Sequence, residues 1–308
     1  MTHKMAHTPS SRPQDKPVTV IGLGPMGLAL ADALLKNGHP TTVWNRSPEK
    51  ARDLVARGAR LAASTADAVA ASALTVVCLK DYATLYEVLD PVGGAVAGRT
   101  VVNLNSGTPN EAHAAASWAG ERGACYLDGA VMVPPPLVGE AGSVILFSGP
   151  REAFDAHRAT LACLGNPRHL GSDPGLAVLH NAALLGLMYA TMNGFLHATA
   201  LVGSAGVPAS EFADLAVNWF LPTVVDATLV EQAPDLDAGH YPGDLGTLHM
   251  NLNALEHIAL TCEEQGVHAG QPRLMREIAA QAIRDGHGGS NYLAVFEVFK
   301  KAVEPGAR

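Results

Sequence analysis

The sequence predicts an α/β fold in which a doubly wound N-terminal domain leads into one long helix and then an all-α C-terminal domain. Three observations carry this. Short β-branched runs alternate with helical patterns through the first half, the signature of successive βαβ units. A glycine-rich turn sits between the first strand and the first helix. Beyond Gly171 the strand pattern stops and apolar helical periodicity takes over.

Pro17–Gly22 reads as the first strand, Met26–Asn37 as a helix and Thr41–Trp44 as the second strand. Pro48 opens the next helix, at a position where its missing N–H costs nothing. Leu74–Leu79, Arg99–Leu104 and Cys125–Val131 read as buried strands separated by helices, followed by a strand at Ser143–Ser148 and a helix at Arg151–Leu164. From Pro174 to Gly203 the chain is almost continuously apolar with no internal proline, a single helix of about 45 Å at ~1.5 Å per residue. Apolar side chains surround most of that cylinder, which predicts burial on most sides. Ala209–Ala302 reads as helices broken at Pro222, at the Ala238–Gly246 loop and around Gly270–Pro272. The expected organisation is a disordered tail over 1–16, a nucleotide-binding domain over 17–172, and the long helix with its helical domain over 173–308.

Gly22-Leu23-Gly24-Pro25-Met26-Gly27 is a GxGxxG between strand and helix, and Thr41–Trp44 closes a βαβ unit of about thirty residues. Such glycines allow a tight turn and close backbone approach, so that a pyrophosphate sits at the helix N-terminus. The N-terminal domain therefore reads as a Rossmann domain. At the end of the second strand an NAD enzyme places an acid against the ribose hydroxyls. This chain has Trp44-Asn45-Arg46-Ser47 instead, with Lys50 one turn into the next helix. A carboxylate there would repel a 2′-phosphate, whereas Arg46 offers it a fork of donors and Ser47 a hydroxyl. NADPH/NADP+ is the expected cofactor; a merely solvated Arg46 is the alternative.

Composition narrows the remaining choices. Of the 308 residues 48% are hydrophobic and only 16% charged, so part of the surface is expected to lie against a partner rather than water. The net charge of −8, with no basic stretch, argues against a nucleic-acid partner. Cys78, Cys125, Cys163 and Cys262 lie far apart with no CxxC pair, which argues against a zinc site or a disulfide framework and fits a reducing cytoplasm. No metal is expected. Residues 1–16 are polar, unlike a signal peptide. No apolar run is expected to span a membrane, given His180 and Asn181 in the most hydrophobic helix.

Three further segments sharpen the reading. Asn103-Leu104-Asn105-Ser106-Gly107-Thr108-Pro109 ends one strand, Leu127-Asp128-Gly129-Ala130-Val131-Met132-Val133-Pro134-Pro135 ends the next, and His180-Asn181 and Tyr189 lie on the long helix. Together with the glycine loop they resemble the β-hydroxyacid dehydrogenase superfamily and, within it, the imine reductases, over about Val18 to Phe299. The resemblance implies that Asn103, Asn105 and Ser106 approach the nicotinamide, with Cys78, Leu79 and Val131 completing the cofactor contacts. β-Hydroxyacid dehydrogenases depend on a lysine from the interdomain helix, and this chain has none between Lys80 and Lys300. Their serine-glycine-glycine substrate loop is replaced by Val131-Met132-Val133-Pro134-Pro135-Pro136, which is apolar and poor in N–H donors for a carboxylate. Hydroxyacid oxidation is disfavoured on both counts.

The resemblance implies an NADPH-dependent oxidoreductase acting on the C=N bond of a cyclic imine or iminium and releasing an amine. Imine reductases commonly place Asp or Tyr where Asn181 stands; a minority pairs Asn with a Tyr at the position of Tyr189. Asn181 does not titrate, so it is expected to orient substrate or water, and Tyr189 to hydrogen-bond the reacting nitrogen or relay a proton. A tyrosine satisfied at the edge of a core is the bland alternative for Tyr189, and His180 reads as a packed or interface residue. The expected substrate pocket comprises Ser106, Met132, Val133, Tyr189, Trp219 and Phe220, with Met250 and Asn251 resembling residues supplied by a partner subunit. An intertwined homodimer with shared active sites follows from the same resemblance. The competing readings are a hydroxyacid or semialdehyde reductase with a relocated acid, and a non-catalytic NADP-sensing dimer.

Overall fold

A computed structural model describes residues 16–301; all but Lys16 of the tail expected over 1–16, and residues 302–308, lie outside the described residues. Two compact units divide between Leu187 and Met188. The first unit is built on β1 (Val18–Ile21), α1 (Pro25–Lys36), β2 (Thr41–Trp44), α2 (Arg52–Ala56), β3 (Arg60–Leu61), α3 (Thr65–Ala70), β4 (Leu74–Val77), α4 (Tyr82–Leu89), β5 (Thr100–Asn103), α5 (Pro109–Glu121), β6 (Cys125–Val131), β7 (Val144–Ser148), α6 (Arg151–Leu161) and β8 (Asn166–His169). These strands form one sheet in the order β3-β2-β1-β4-β5-β6-β7-β8. It is parallel except where β7 runs antiparallel to β6.

The central strands β1, β4 and β5 are buried along their whole length, as a sheet covered by helices on both faces requires. Their side chains alternate between two cores. Val18, Val20, Leu74, Val76 and Val102 pack with Leu30 and Leu34 of α1 and with Phe147 and Phe154. Ile21, Val77 and Val101 pack on the other face with Leu85, Leu89 and Trp118. Each fully buried Leu, Ile or Phe contributes roughly 1.5–3 kcal/mol. Helix starts are specified locally: Thr108 and Glu111 form a capping box ahead of Pro109, and Ser64 and Asp81 accept from Asp67 N and Thr84 N.

α7 (Leu176–Gly203) runs out of the first unit into the second. The second unit continues with α8 (Ala209–Leu215), a π-helical stretch Ala216–Asp226, α9 (Ala227–Ala238), α10 (Leu248–Glu264), α11 (Gly270–Ala282) and the short α12 (Phe296–Phe299). Its small core gathers Leu248, Leu255, Ala279, Ala282 and Val295. Three expectations are overturned by the structure. Pro222 does not break the helix, because the wider π turn surrounds it, with Thr223 Oγ1 donating to the Trp219 carbonyl. And two helical runs, Leu176–Gly203 and Ala209–Ala238, are long and apolar enough to cross a membrane. The polar pair His180 and Asn181 is too small a share of 28 residues to lower the mean hydropathy below that level. Nor is α7 buried on most sides within the single chain: from Leu179 to Asn193 every residue but Asn181 is exposed, and Leu196 is 59% exposed.

Candidate active site

The chain turns immediately after β1. Gly22 adopts a φ of +97°, and a Cβ there would stand 2.1 Å from the Cys78 carbonyl oxygen. Gly27 is as constrained, its added Cβ falling 1.9 Å from the Gly22 carbonyl oxygen. Gly24 differs: nothing lies within 4 Å of where its Cβ would be. The first and third glycines thus shape the turn, and the second leaves room for a ligand. Gly24 is also the N-cap of α1, with no side chain capping it and no acid in the first turn. The free N–H groups and positive end of the helix dipole are left for an anion. A dinucleotide pyrophosphate fits this cradle.

The cleft over the loop, about 440 Å³, is lined by the six residues Gly22, Leu23, Gly24, Pro25, Met26 and Gly27 together with Asn45, Arg46, Cys78, Leu79, Lys80 and Thr84. Asn45 braces it: its Oδ1 accepts from Leu23 N at 2.9 Å and its Nδ2 donates to the Ser47 carbonyl at 3.0 Å. Arg46 is exposed, and among the described residues its guanidinium has no ion-pair or hydrogen-bond partner. Ser47 stands at the N-cap position of the 3-10 turn Pro48–Ala51 without a side-chain capping bond, and Lys50 in that turn is exposed; neither lines the cleft itself. Burial pushes the Cys78 thiol up to about 11, so it stays neutral and lines the wall rather than reacting.

Asn103 and Asn105 turn inward. Asn103 is fully buried and donates to Asp128 Oδ2 at 3.2 Å. Asn105 Oδ1 accepts from Leu79 N at 2.5 Å, and its Nδ2 donates to the Asp81 carbonyl at 3.0 Å. Neither lines the cleft; Asn105 instead holds the turn that carries Leu79 and Lys80, which do. Ser106, next along, is exposed, while Val131, Met132 and Val133 are half-buried at the end of β6.

Asn181 is half-buried in the first unit; Tyr189, in the second, is 60% exposed. His180 Nδ1 hydrogen-bonds the Leu176 carbonyl at 2.8 Å, a local helix contact. In the second unit Trp219 lines one cleft with Phe212 and Asn218, with the Phe220 ring 6.1 Å away. Asn251 lines another, of about 820 Å³, with Leu245, Asp244 and Tyr292, while Met250 is 65% exposed. Within that unit, Trp219 and Asn251 do not share a cavity. Sequence reading missed Lys80 and Thr84 on the cofactor cleft, and the buried Asp128 with Tyr82 and Tyr126. The signal for the last was an acid inside the apolar strand Tyr126-Leu127-Asp128.

Residues 17–176 match the NAD binding domain of 6-phosphogluconate dehydrogenase, and residues 173–301 the NADPH-dependent reductive aminase-like C-terminal domain. A NADPH-dependent reductive aminase from Aspergillus oryzae is 36% identical over 92% of this chain and 97% of its own length. The chain belongs to the imine reductase and reductive aminase family. Two solved members share its fold. An imine reductase from Bacillus cereus superposes with a TM-score of 0.88 at 38% identity, covering 93% of this chain and 100% of that one. A reductive aminase from Aspergillus terreus, in complex with NADPH4, cyclohexanone and allyl amine, superposes at 0.84 with 40% identity over 92% and 99%.

Proposed function

We propose that this chain is an NADPH-dependent imine reductase, delivering hydride to the carbon of a cyclic imine or iminium and releasing an amine. The observation that carries this is the kinship to a reductive aminase over nearly both full lengths, in a chain with no lysine between Lys80 and Lys300. When bound, NADPH supplies the hydride. The Gly22–Gly27 loop and the start of α1 hold its pyrophosphate, and Arg46 with Ser47 takes the 2′-phosphate. Val131–Val133 and the prolines after them form an apolar wall that excludes water and disfavours an anionic substrate. An iminium carbon is already electrophilic, so the protein's main task is to hold it near the nicotinamide. Asn181 orients the substrate, and the Tyr189 hydroxyl meets the reacting nitrogen. NADPH absorbance followed with 2-methyl-1-pyrroline, with a ketone plus an amine, and with a 3-hydroxyacid plus NADP+ tests the reading. Consumption with the imine supports it; turnover with the hydroxyacid alone overturns it.

The same reading makes the protein a homodimer with intertwined helical domains. What supports this is exposed apolar surface on the two long helical runs: Met192 52%, Leu196 59%, Trp219 54% and Val230 77% exposed. A bilayer would have to accept Asp214, Asp226 and Glu231 along the second run, at a cost of roughly 2.5 kcal/mol or more for each one near its centre. A second copy covers the apolar faces without that cost. Sedimentation should give twice the 32.0 kDa chain mass; a stable monomer contradicts it.

A further inference from the structure

Asp128 sits in the middle of β6, fully buried. Three neutral donors converge on its Oδ2: Tyr82 Oη at 2.6 Å, Tyr126 Oη at 2.5 Å and Asn103 Nδ2 at 3.2 Å. Its Oδ1 is buried and makes no hydrogen bond of ordinary geometry among the described residues, although the neighbouring Gly129 N–H helps hold the charge. A buried acid held this way has no obvious packing purpose, since an apolar residue would fill the strand at less cost. Its connections suggest another purpose. Asn103 Oδ1 accepts from Asn105 N at 3.3 Å, and the Asn105 side chain clamps both ends of the Leu79–Asp81 turn. Tyr82 begins the helix after that turn, and its ring packs so closely on Gly107 that a Cβ there would stand 2.2 Å from the ring. Leu79 and Lys80 of the clamped turn line the dinucleotide cleft.

We propose that Asp128 is a positioning residue of the cofactor cleft: its ionised carboxylate, through Asn103 and Asn105 on one side and Tyr82 on the other, fixes the Leu79–Asp81 turn in the cofactor-binding arrangement. This rests on the reading that the cleft holds NADPH. Charge is what makes the hub work. A carboxylate binds its donors about twice as strongly as a neutral acceptor, and an uncharged oxygen with two lone pairs holds three donors poorly. The titratable groups facing Asp128 are Tyr126 on its own strand and Tyr82 from α4; Asn103 from β5 and Ser148, opposite on β7, are neutral. Burial lifts the Asp128 pKa to about 6, against the pull of the Tyr126, Tyr82 and Asn103 hydrogen bonds. Because the folded-state value lies above the ordinary 3.8, the group's contribution to stability is fully present below about pH 4 and is lost as pH rises through about 6, so the ionised form is the less stable one. The charge is thus kept at the expense of stability, as a functional role requires.

The test is the dissociation constant for NADPH, by fluorescence titration, for the parent and Asp128→Asn at pH 7.5 and pH 5.0, with thermal midpoints. The cofactor's 2′-phosphate also titrates near pH 6, but equally for both proteins, so the ratio of the two constants isolates Asp128. The expected ratio is at least fivefold at pH 7.5 and close to one at pH 5.0, where the parent is itself protonated. The variant's thermal midpoint at pH 7.5 should be no lower than the parent's. A ratio that does not change with pH overturns the proposal, whatever its size. Tyr82→Phe, which keeps the ring against Gly107 and removes one donor, should raise the pH 7.5 constant at least twofold; an unchanged constant counts against the hub. A parent that fails to bind NADPH at all would instead overturn the cofactor reading, and this proposal with it.

Discussion

Arg46→Glu is expected to raise the KM for NADPH by well over tenfold. Arg46 lines the cofactor cleft, is exposed, and among the described residues has no partner to be lost on substitution. Its fork can give a phosphate two charge-assisted hydrogen bonds, and such a bond contributes about 1.5–3 kcal/mol. At ~1.4 kcal/mol per factor of ten, losing one contact already reaches the expected effect, and glutamate adds repulsion. The 2′-phosphate takes no part in hydride transfer, so kcat at saturating NADPH should change little, the pattern of lost uniform binding. NADH lacks the phosphate, so preference should move toward it. Steady-state kinetics with both cofactors checks this; an unchanged KM for NADPH removes Arg46 from the cofactor site.

Tyr189→Phe is expected to lower turnover of a cyclic imine at least tenfold. The substitution removes only the hydroxyl and leaves the ring, so packing is preserved. A tenfold loss corresponds to ~1.4 kcal/mol, the size of one hydrogen bond made in the transition state and not in the ground state. The effect should therefore fall on kcat rather than KM. Eight residues of continuous helix span about 12 Å, so Asn181 is not expected to substitute for the missing hydroxyl. Full activity in the variant would return Tyr189 to a packing role.

Much of the fold could be read from side-chain pattern because the physics there is local. The βαβ alternation, the glycine loop and the end of the helical domain's Ala238–Gly246 loop all depend on residues adjacent in sequence. What escaped depends on contacts distant in sequence. β3 is two exposed residues, Arg60 and Leu61, paired to Thr42 and Val43. β8 reads Asn166-Pro167-Arg168-His169, with no apolar alternation at all; it exists by pairing with β7 at the sheet edge, where a proline is tolerated. Pro222 was misleading because a proline's cost in an α-helix does not transfer to a π turn. The glycine turn and the place of Arg46 beside it on one cleft were legible from spacing and charge. The inward turn of Asn103 and Asn105 was not, because it depends on Asp128, 25 residues from Asn103, and on Leu79 and Asp81, 26 and 24 residues from Asn105.

Hydride from NADPH is expected on the carbon of the C=N bond. The most direct measurement supplies NADPH deuterated at the transferable position of C4 together with 2-methyl-1-pyrroline, and reads the product by mass spectrometry. The expected product is 2-methylpyrrolidine one mass unit heavier, with the deuterium on the former imine carbon. NADPH binding without any amine formed, or amine formed without label from either face of C4, would contradict it.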